Sequence, residues 1–190
     1  MRLFVGVELC DEARRVAERA ATALRKRLGS NVAAKWVEPA NLHITVRFIG
    51  HVDDVRAPEV IRAVTAPIEV PAFTLKLGSC GAFPPKGPLR VIWIGLADGL
   101  SSLASMHTEL NRRLAPLGFE PESRPFSAHL TLARIRETTR GTGVSVRDVV
   151  TDYQIRSVAC RVEHATLFRS HLSPAGARYE SVAHIDLAYS

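Results

Sequence analysis

Apolar residues recur along the chain with spacings that are typical of strands and helices. Leu3–Leu9 is a short apolar run, and it predicts a first β-strand. In Asp11–Leu28 the apolar residues lie mostly three or four positions apart, which is the spacing of an amphipathic helix. These helix positions are Val16, Ala17, Ala20, Leu24 and Leu28. The chain is therefore predicted to begin with a strand that leads into a helix.

The same order of elements returns in the second half of the chain. Leu89–Gly95 predicts a strand, and Leu100–Leu114 predicts a helix whose apolar residues again fall on one face. Two further segments, Phe73–Leu77 in the first half and Ala159–Glu163 in the second, are also strand-like. Corresponding elements therefore occupy corresponding places in the two halves.

A pair of similar motifs strengthens the case for an internal repeat. The sequence reads NLHITVR around His43 and SAHLTLA around His129, so each copy contains a His-x-Thr-x motif. The two histidines are 86 residues apart, and each follows the end of its predicted helix by 15 residues. The sequence therefore predicts a repeat of roughly 1–85 and 86–172.

This order of strands and helices predicts an α+β fold. We expect a single bilobal domain over 1–190, in which two similar lobes are related by a pseudo-twofold axis. Each lobe is predicted to be an antiparallel sheet with helices on its outer face, and the active-site cleft is predicted between the lobes. Further helices are expected over 54–64 and 141–150, and a late strand over 178–188. The Gly/Pro-rich Gly78–Pro88 segment is the expected connection between the lobes.

Composition and charge narrow the class of protein. The 190-residue chain is 46% hydrophobic, its apolar runs are too short to span a bilayer, and its start lacks a signal-like apolar stretch. Three widely spaced cysteines without a Cys-x-x-Cys pair argue against a disulfide framework or a cysteine zinc site. A cytoplasmic protein is therefore predicted. The net charge of +6 favours a polyanion such as RNA, although many basic proteins bind no nucleic acid.

The two His-x-Thr-x motifs carry the candidate chemistry. In a strand, residues i and i+2 share a face, so His43 projects with Thr45, and His129 with Thr131. Imidazoles with an ordinary pKa of about 6.5 can act as a general acid and a general base near neutral pH. Threonine hydroxyls can donate to phosphate oxygens. One such motif alone is most often packing or surface polarity, but two copies in a repeat favour a shared catalytic site.

The remaining histidines are predicted to be surface or structural residues. They are His51, His107, His164, His171 and His184. Neither a His-x-x-x-His nor a His-Glu-x-x-His pattern occurs in the sequence, so no metal site is predicted.

The chain resembles the two-histidine phosphoesterase superfamily, and within it the RNA 2′,3′-cyclic phosphodiesterases once called 2′-5′ RNA ligases. The resemblance spans nearly the whole chain, from the first strand through both motifs to the segment over 170–179. It implies a basic cleft, no cofactor, and a substrate that is RNA with a 2′,3′-cyclic phosphate end or a small cyclic nucleotide. One departure is Ala128, where the family usually has proline.

The resemblance also implies roles for individual residues. His43 would be the proton donor, His129 the proton acceptor, and Thr45 and Thr131 phosphate ligands. Arg134 would be a supporting phosphate ligand, since arginine favours bidentate contacts with phosphate. A regular strand, however, would place Arg134 on the face opposite Thr131. The implied product is a 2′-phosphomonoester, formed without a metal ion, and the implied role is in RNA processing. A monomer is expected because the duplicated lobes already supply what a dimer would.

Two other functions stay open at this point. The same cleft could run the reverse reaction and join RNA ends through a 2′-5′ linkage, although water normally competes better than a second RNA end. Alternatively, the chain could be a non-catalytic RNA- or nucleotide-binding module, which the basic charge would equally suit. Aromatic residues are expected to stack on a base. The candidates, which sequence does not rank, are Phe4, Phe48, Trp93, Phe126 and Tyr179.

Overall fold

Strands and short helices alternate along the chain in the computed structural model, which describes residues 1–138, 145–173 and 176–188. In these residues the strands are β1 (Arg2–Glu8), β2 (Val32–Trp36), β3 (His43–His51), β4 (Ile68–Pro71), β5 (Phe73–Phe83), β6 (Val91–Asp98), β7 (Leu130–Thr138), β8 (Ala159–Val162), β9 (His164–Ser173) and β10 (Gly176–Ala188). The α-helices are α1 (Asp11–Leu28), α2 (Ala57–Thr65), α3 (Leu100–Leu114) and α4 (Val146–Thr151).

The helices follow the apolar spacing of the sequence closely. α1 and α3 have the predicted bounds, and the side chains of Leu24 and Leu110 on their inner faces are fully buried. α4 is shorter than the helix predicted over 141–150 and begins after Ser145, whose hydroxyl accepts a hydrogen bond from the Asp148 backbone N–H. Residues 141–144 of that prediction lie outside the described residues. None of the helices in the described ranges is long and apolar enough to cross a membrane.

Across the described residues the strands form one ten-stranded sheet, whose two halves meet edge to edge. Their order is β4-β10-β9-β1-β3-β7-β6-β5-β8, and β2 also pairs with β7. All pairings are antiparallel except that of β10 with β4. At the centre of the sheet, β3 pairs with β7 through one pair of opposite residues in the described part of the chain, Ile44 and Leu130. The predicted α+β fold with two lobes is confirmed, and this one pair makes the two lobe sheets continuous.

Each lobe contains strands from both halves of the chain. In the first lobe β1 and β3 pair with each other, and β1 also pairs with β9 from the second half. In the second lobe β6 pairs with β7, and also with β5 from the first half. The chain passes from β1 in the first lobe to β2 in the second, where β2 pairs with β7, and returns to the first lobe at β3. It crosses again from β4 to β5 and from β8 to β9. A lobe is therefore not the same unit as one predicted sequence repeat.

This exchange of strands corrects the expected position of the connection between the lobes. Gly78–Pro88 was predicted to link them, but its first part belongs to β5 and the rest turns into β6 of the same lobe. The chain enters this hairpin from the first lobe at Ala72, between β4 and β5. Glycine and proline mark a turn, and here they mark the turn of a hairpin within one lobe. The predicted connection is therefore wrong.

The helices cover one face of the sheet and leave the other face open. α1 and α4 pack against β5, β7 and β8 of the second lobe, while α2 and α3 pack against β3, β4, β9 and β10 of the first. Apolar side chains of alternate strand positions, such as Ile44, Leu130 and Ile94, are fully buried beneath the helices. The positions between them point to the opposite face, where both histidine motifs lie.

Candidate active site

The first motif holds its imidazole by two hydrogen bonds. His43 begins β3, and its Nδ1 lies 2.7 Å from the carbonyl oxygen of Asn41. Because a carbonyl oxygen only accepts, Nδ1 carries a proton and Nε2 is left for chemistry. Nε2 lies 3.0 Å from the hydroxyl oxygen of Thr45, which can donate to the neutral ring. The ring of His43 is thus oriented by residues two positions before and after it.

Aromatic rings surround His43 on the open face of the first lobe. The Phe4 and Tyr179 ring centroids lie 4.8 and 5.1 Å from the imidazole centroid, and that of Phe168 lies at 6.0 Å. Gly6 on β1 lies directly beneath the ring, where an added Cβ would come within 3.2 Å of the imidazole Cδ2. A side chain at position 6 would therefore require the Ile44 carbonyl oxygen or the His43 ring to shift by a few tenths of an ångström.

The second motif repeats the hydrogen bond that orients the ring. His129 immediately precedes β7, and its Nδ1 lies 2.7 Å from the carbonyl oxygen of Ser127. The Phe83 ring meets this imidazole edge-on at 5.1 Å, and Trp93 lies at 6.4 Å. Trp93 in turn covers Gly81, where an added Cβ would collide with the indole ring. The two imidazoles therefore have the same backbone support and different aromatic neighbours.

A β-bulge decides where Arg134 points. In the β6–β7 pairing Trp93 is opposite Thr131 and Ile92 is opposite Ala133, so Leu132 is an extra residue. The extra residue reverses the alternation of faces: Leu132 and Ala133 are both buried, and Arg134 is exposed. Its charge acts on both imidazoles and lowers their pKa values. The expectation that Arg134 faces away from Thr131 is therefore wrong.

The first motif has the same bulge with different side chains. Gly6 is opposite Thr45 and Val5 is opposite Arg47, so Val46 is the extra residue. Arg47 consequently points into the protein and is only 3% exposed. Its guanidinium donates to the carbonyl oxygens of Phe48, at 2.8 Å, and Glu120, at 2.5 Å. Arg47 thus holds the segment before the second motif and is not part of the cleft.

Burial lowers the pKa of both imidazoles below the ordinary value of 6.5. For His43 the hydrogen bond to Asn41 opposes this effect, the positive charge of Arg134 adds to it, and the carboxylate of Glu8 opposes it. For His129 the Ser127 carbonyl opposes the effect of burial and Arg134 again adds to it. The two rings therefore differ in that an acidic side chain favours protonation of His43.

A cavity of about 890 Å³ lies between the lobes and is lined by Thr45 of the first motif and His129 of the second, but not by His43, Thr131 or Arg134. Its lining combines polar, aromatic and basic groups: Thr45, Val46, Phe83, Pro84, Pro85, Arg90, Val91, Glu122, Ser123, Arg124, Pro125, Phe126, Ser127 and His129. This volume suits a nucleotide-sized ligand. A second cavity, of about 600 Å³, lies between β4 and α3 and contains neither motif.

The structure sorts the aromatic residues that the sequence left unranked. Phe4 and Tyr179 pack on His43, and Trp93 lies near His129. Phe126 stacks on His107, and the Arg2 guanidinium covers the ring of Phe48. Phe83 and Phe168, which the sequence analysis did not select, lie beside the two imidazoles, and only the strand exchange brings them there.

Four of the other histidines have hydrogen-bond or ion-pair partners, and one of them, His184, lies 3.3 Å from the Thr166 hydroxyl oxygen. His51 lies 3.2 Å from Asp53, and His171 lies 2.7 Å from Glu180. The Nδ1 of His107 lies 2.7 Å from the carbonyl oxygen of Val46. His164 and His184 lie together on the first lobe.

Known proteins with similar sequences and folds agree on one family. The family described as LigT-like phosphoesterase matches residues 11–93 and again residues 94–179. The RNA 2′,3′-cyclic phosphodiesterase of Aeropyrum pernix is 34% identical over 162 residues, which cover 85% of this chain and 90% of that protein. The protein of the same name from Archaeoglobus fulgidus is 31% identical over 183 residues, covering 96% and 98%.

Solved structures show the same fold. TT0787 of Thermus thermophilus superposes with a TM-score of 0.77 at 25% identity, covering 98% of this chain and 97% of that one. LigT of E. coli, crystallised in complex with 3′-AMP, superposes with a TM-score of 0.72 at 25% identity, again covering 98% and 97%. Because the family match spans most of the sequence and these relatives cover it almost end to end, the chain belongs to the LigT-like phosphoesterase family.

Proposed function

We propose that this protein hydrolyses RNA 2′,3′-cyclic phosphate ends to 2′-phosphomonoesters by general acid–base catalysis with two histidines. The observation that carries the proposal is the equivalence of His43 and His129. Each Nδ1 is bound to the carbonyl oxygen two residues earlier, which leaves each Nε2 available on the open face of the sheet. The names of the relatives in the family support the cyclic phosphodiester as substrate.

In the proposed reaction His129 acts as the base and His43 as the acid. His129 Nε2 takes a proton from water while the water oxygen attacks phosphorus. The bond from phosphorus to the 3′ oxygen breaks, and His43 Nε2 donates its proton to that oxygen. The product carries phosphate on the 2′ oxygen, and exchange of protons with solvent restores both rings. The assignment of acid and base follows the family resemblance, and Glu8 beside His43 is consistent with it.

The anionic substrate would supply the protonation state that this reaction needs. The lowered pKa values leave both free imidazoles mainly neutral at neutral pH. A bound phosphodiester carries a negative charge, which favours the protonated form of a nearby imidazole. Thr45, Thr131 and Arg134 are proposed to bind the non-bridging oxygens, the first two as neutral donors and Arg134 as a cation.

We also propose that the catalytic unit is one chain and one bilobal domain. Both motifs belong to the same polypeptide, and each lobe needs strands from both halves of it. Neither 1–85 nor 86–172 contains a complete lobe, so neither segment is expected to fold alone. A monomer in which the two motifs face each other would be sufficient for the reaction.

The test is to incubate the protein, in EDTA, with a short RNA ending in a 2′,3′-cyclic phosphate and to follow phosphorus by NMR. The expected product is a 2′-phosphomonoester alone. A 3′-phosphomonoester would contradict the proposed departure of the 3′ oxygen. Binding without turnover would favour a non-catalytic binding module instead. An RNA with a 5′-hydroxyl end, added to the same reaction, would reveal ligation as a 2′-5′ diester.

A further inference from the structure

A group of metal-ligating side chains lies on the first lobe beside the first catalytic motif, since Glu8 on β1 pairs with His43 on β3. Glu8, His164 and His184 each present a ligand atom, and these three atoms lie within 4.8 Å of one another. All three side chains are exposed, and the two imidazole rings meet edge-on with centroids 4.7 Å apart. Two imidazoles and a carboxylate are a ligand set that binds zinc in proteins.

Three neighbouring strands bring these residues together. β9 pairs with β1 on one side and with β10 on the other. Thr166 of β9 is opposite Gly6 on β1 and His184 on β10. Directly opposite residues in antiparallel strands share a face, so His184 and Thr166 point to the same side of the sheet. Residues two positions apart in one strand also share a face. His164, two positions before Thr166, and Glu8, two positions after Gly6, therefore point to that side as well. His164 and His184 are 20 residues apart in the sequence, so their proximity could not be predicted from their spacing.

A buried hydroxyl already orients two of the three candidate ligands. Thr166 is fully buried, and its hydroxyl oxygen lies 3.0 Å from Glu8 Oε2 and 3.3 Å from His184 Nδ1. In one consistent arrangement His184 Nδ1 donates to Thr166 Oγ1, and the Thr166 hydroxyl donates to Glu8. Thr166 therefore holds the Glu8 carboxylate and the His184 ring beside each other. Protein metal sites commonly have such hydrogen bonds behind the ligands.

Zinc requires only a small contraction of the cluster. With bonds of about 2.0–2.2 Å, tetrahedral ligand atoms lie roughly 3.3 Å apart. The observed limit of 4.8 Å therefore closes by at most about 1.5 Å, which small rotations of exposed side chains can provide. Within the described residues the imidazole nitrogens of His164 have no hydrogen-bond partner that a metal ion would need to displace.

We propose that Glu8, His164 and His184 form a binding site for a zinc-class divalent cation, with Thr166 as the positioning residue behind it. Three protein ligands leave a fourth tetrahedral position for water. The ion would join β1, from the first half of the chain, to β9 and β10 from the second. It would not itself transfer a proton in the proposed hydrolysis, whose proton transfers use His43 and His129, but it would bind the Glu8 carboxylate that favours protonation of His43.

Titration of the EDTA-treated and dialysed protein with Zn²⁺ in a calorimeter, without RNA, tests the site. We expect one equivalent of Zn²⁺ to bind, and no binding of Mg²⁺ at the same concentrations, because imidazole ligands favour zinc. Loss of an outer hydrogen bond usually weakens a metal 10–100-fold. We therefore expect Thr166→Val to weaken Zn²⁺ binding by about that factor, and His184→Ala or His164→Ala to weaken it at least as much.

His171→Ala is the matched control. His171 lies on the same strand as His164 and pairs with Glu180 at 2.7 Å, but no second histidine completes that pair in the described residues. His129→Ala tests whether the catalytic motifs capture the ion instead. We expect both variants to bind Zn²⁺ as the unsubstituted protein does. Circular dichroism in EDTA checks that every variant is folded.

Two results would overturn the site. One is equal Zn²⁺ affinity in the unsubstituted protein, His164→Ala and His184→Ala, and the other is loss of binding in His129→Ala alone. X-ray absorption of the zinc-loaded protein gives an independent test, since it must show two imidazoles and a carboxylate oxygen as ligands. Because none of these measurements uses turnover, their failure leaves the proposed hydrolysis untouched.

Discussion

The two histidine motifs have the same main-chain geometry but are surrounded by different side chains. Each imidazole is held at Nδ1 by the carbonyl oxygen two residues earlier, at 2.7 Å in both cases. Each strand also has a β-bulge at the residue after threonine. These shared features orient the rings. They are main-chain features, and they tolerate changes in the surrounding side chains.

The surroundings give the two rings different chemistry. His43 packs against Phe4, Phe168 and Tyr179, and the carboxylate of Glu8 raises its pKa against the lowering effect of burial. His129 has Phe83 and Trp93 nearby and lines the cavity between the lobes. A duplicated motif can therefore supply one acid and one base, because its orientation is retained while the charges around it differ.

The largest expected effect comes from removing either imidazole. General acid–base groups typically contribute about 10²–10⁴-fold, so His43→Ala and His129→Ala should each lower kcat by roughly 10³-fold. The double variant should be little worse than either single one, because residues that act as a unit are not additive. Initial rates with a cyclic-phosphate RNA measure this. Turnover at the unsubstituted rate in either single variant would show that the motifs are not an acid–base pair.

The two bulges differ because the one in β7 leaves Arg134 exposed near the imidazoles, whereas the one in β3 buries Arg47. Replacing Arg134 tests whether this difference matters for catalysis. Its guanidinium is proposed to bind phosphate, and hydrogen bonds to charged groups contribute about 1.5–3 kcal/mol. Arg134→Ala should therefore lower kcat/KM by about 10–100-fold. Arg112→Ala removes an equal charge from the outer surface of α3, where the side chain is 73% exposed, and should leave kcat/KM unchanged. Equal losses in both variants would indicate that only the net charge matters.

The two threonines should give smaller and unequal effects. Thr45 is bonded to the His43 ring as well as being a proposed phosphate ligand. A neutral hydrogen bond contributes about 0.5–1.5 kcal/mol, so Thr131→Val should lower kcat/KM roughly 2–10-fold. Thr45→Val should cost more, since it also frees the ring to rotate. Steady-state kinetics of the two variants compare them directly, and a larger loss in Thr131→Val would contradict this ranking.

The smallest expected effect is a shift in the pH profile. The pH dependence of kcat/KM reports the free enzyme, in which both imidazole pKa values are lowered from 6.5. The base must be deprotonated and the acid protonated, so kcat/KM should be highest below pH 6.5 and decline above it. Arg134 lowers both pKa values, and Arg134→Ala should therefore move the maximum upward. A maximum well above pH 7 in the unsubstituted protein would contradict the assigned groups.

Much of the candidate site was predictable because local sequence patterns specify it. The alternation of buried and exposed positions put His43 with Thr45, and apolar spacing marked α1 and α3. The resemblance to a family, resting on both motifs, identified the chain as a phosphoesterase. The catalytic roles of the motif residues stay predictions until turnover is measured.

Other features of the site could not be predicted from the sequence, because they depend on the pairing of strands that are far apart along the chain. Phe83 and Phe168 reach the imidazoles through strands exchanged between lobes, which apolar spacing does not reveal. His164 and His184 meet Glu8 across three strands, although the sequence suggested no metal site. Neither proximity follows from spacing within one segment.

The sequence by itself determined α1, α3, the duplicated motif and the face of each motif strand up to its threonine. Tertiary structure decided which face of the sheet the residues after each threonine occupy. A single extra residue, Leu132, turned Arg134 toward the imidazoles, and its counterpart Val46 turned Arg47 into the protein. The physical reason is that strand faces alternate with a period of two, so one bulged residue exchanges them. Only pairing with a neighbouring strand determines where that residue is inserted.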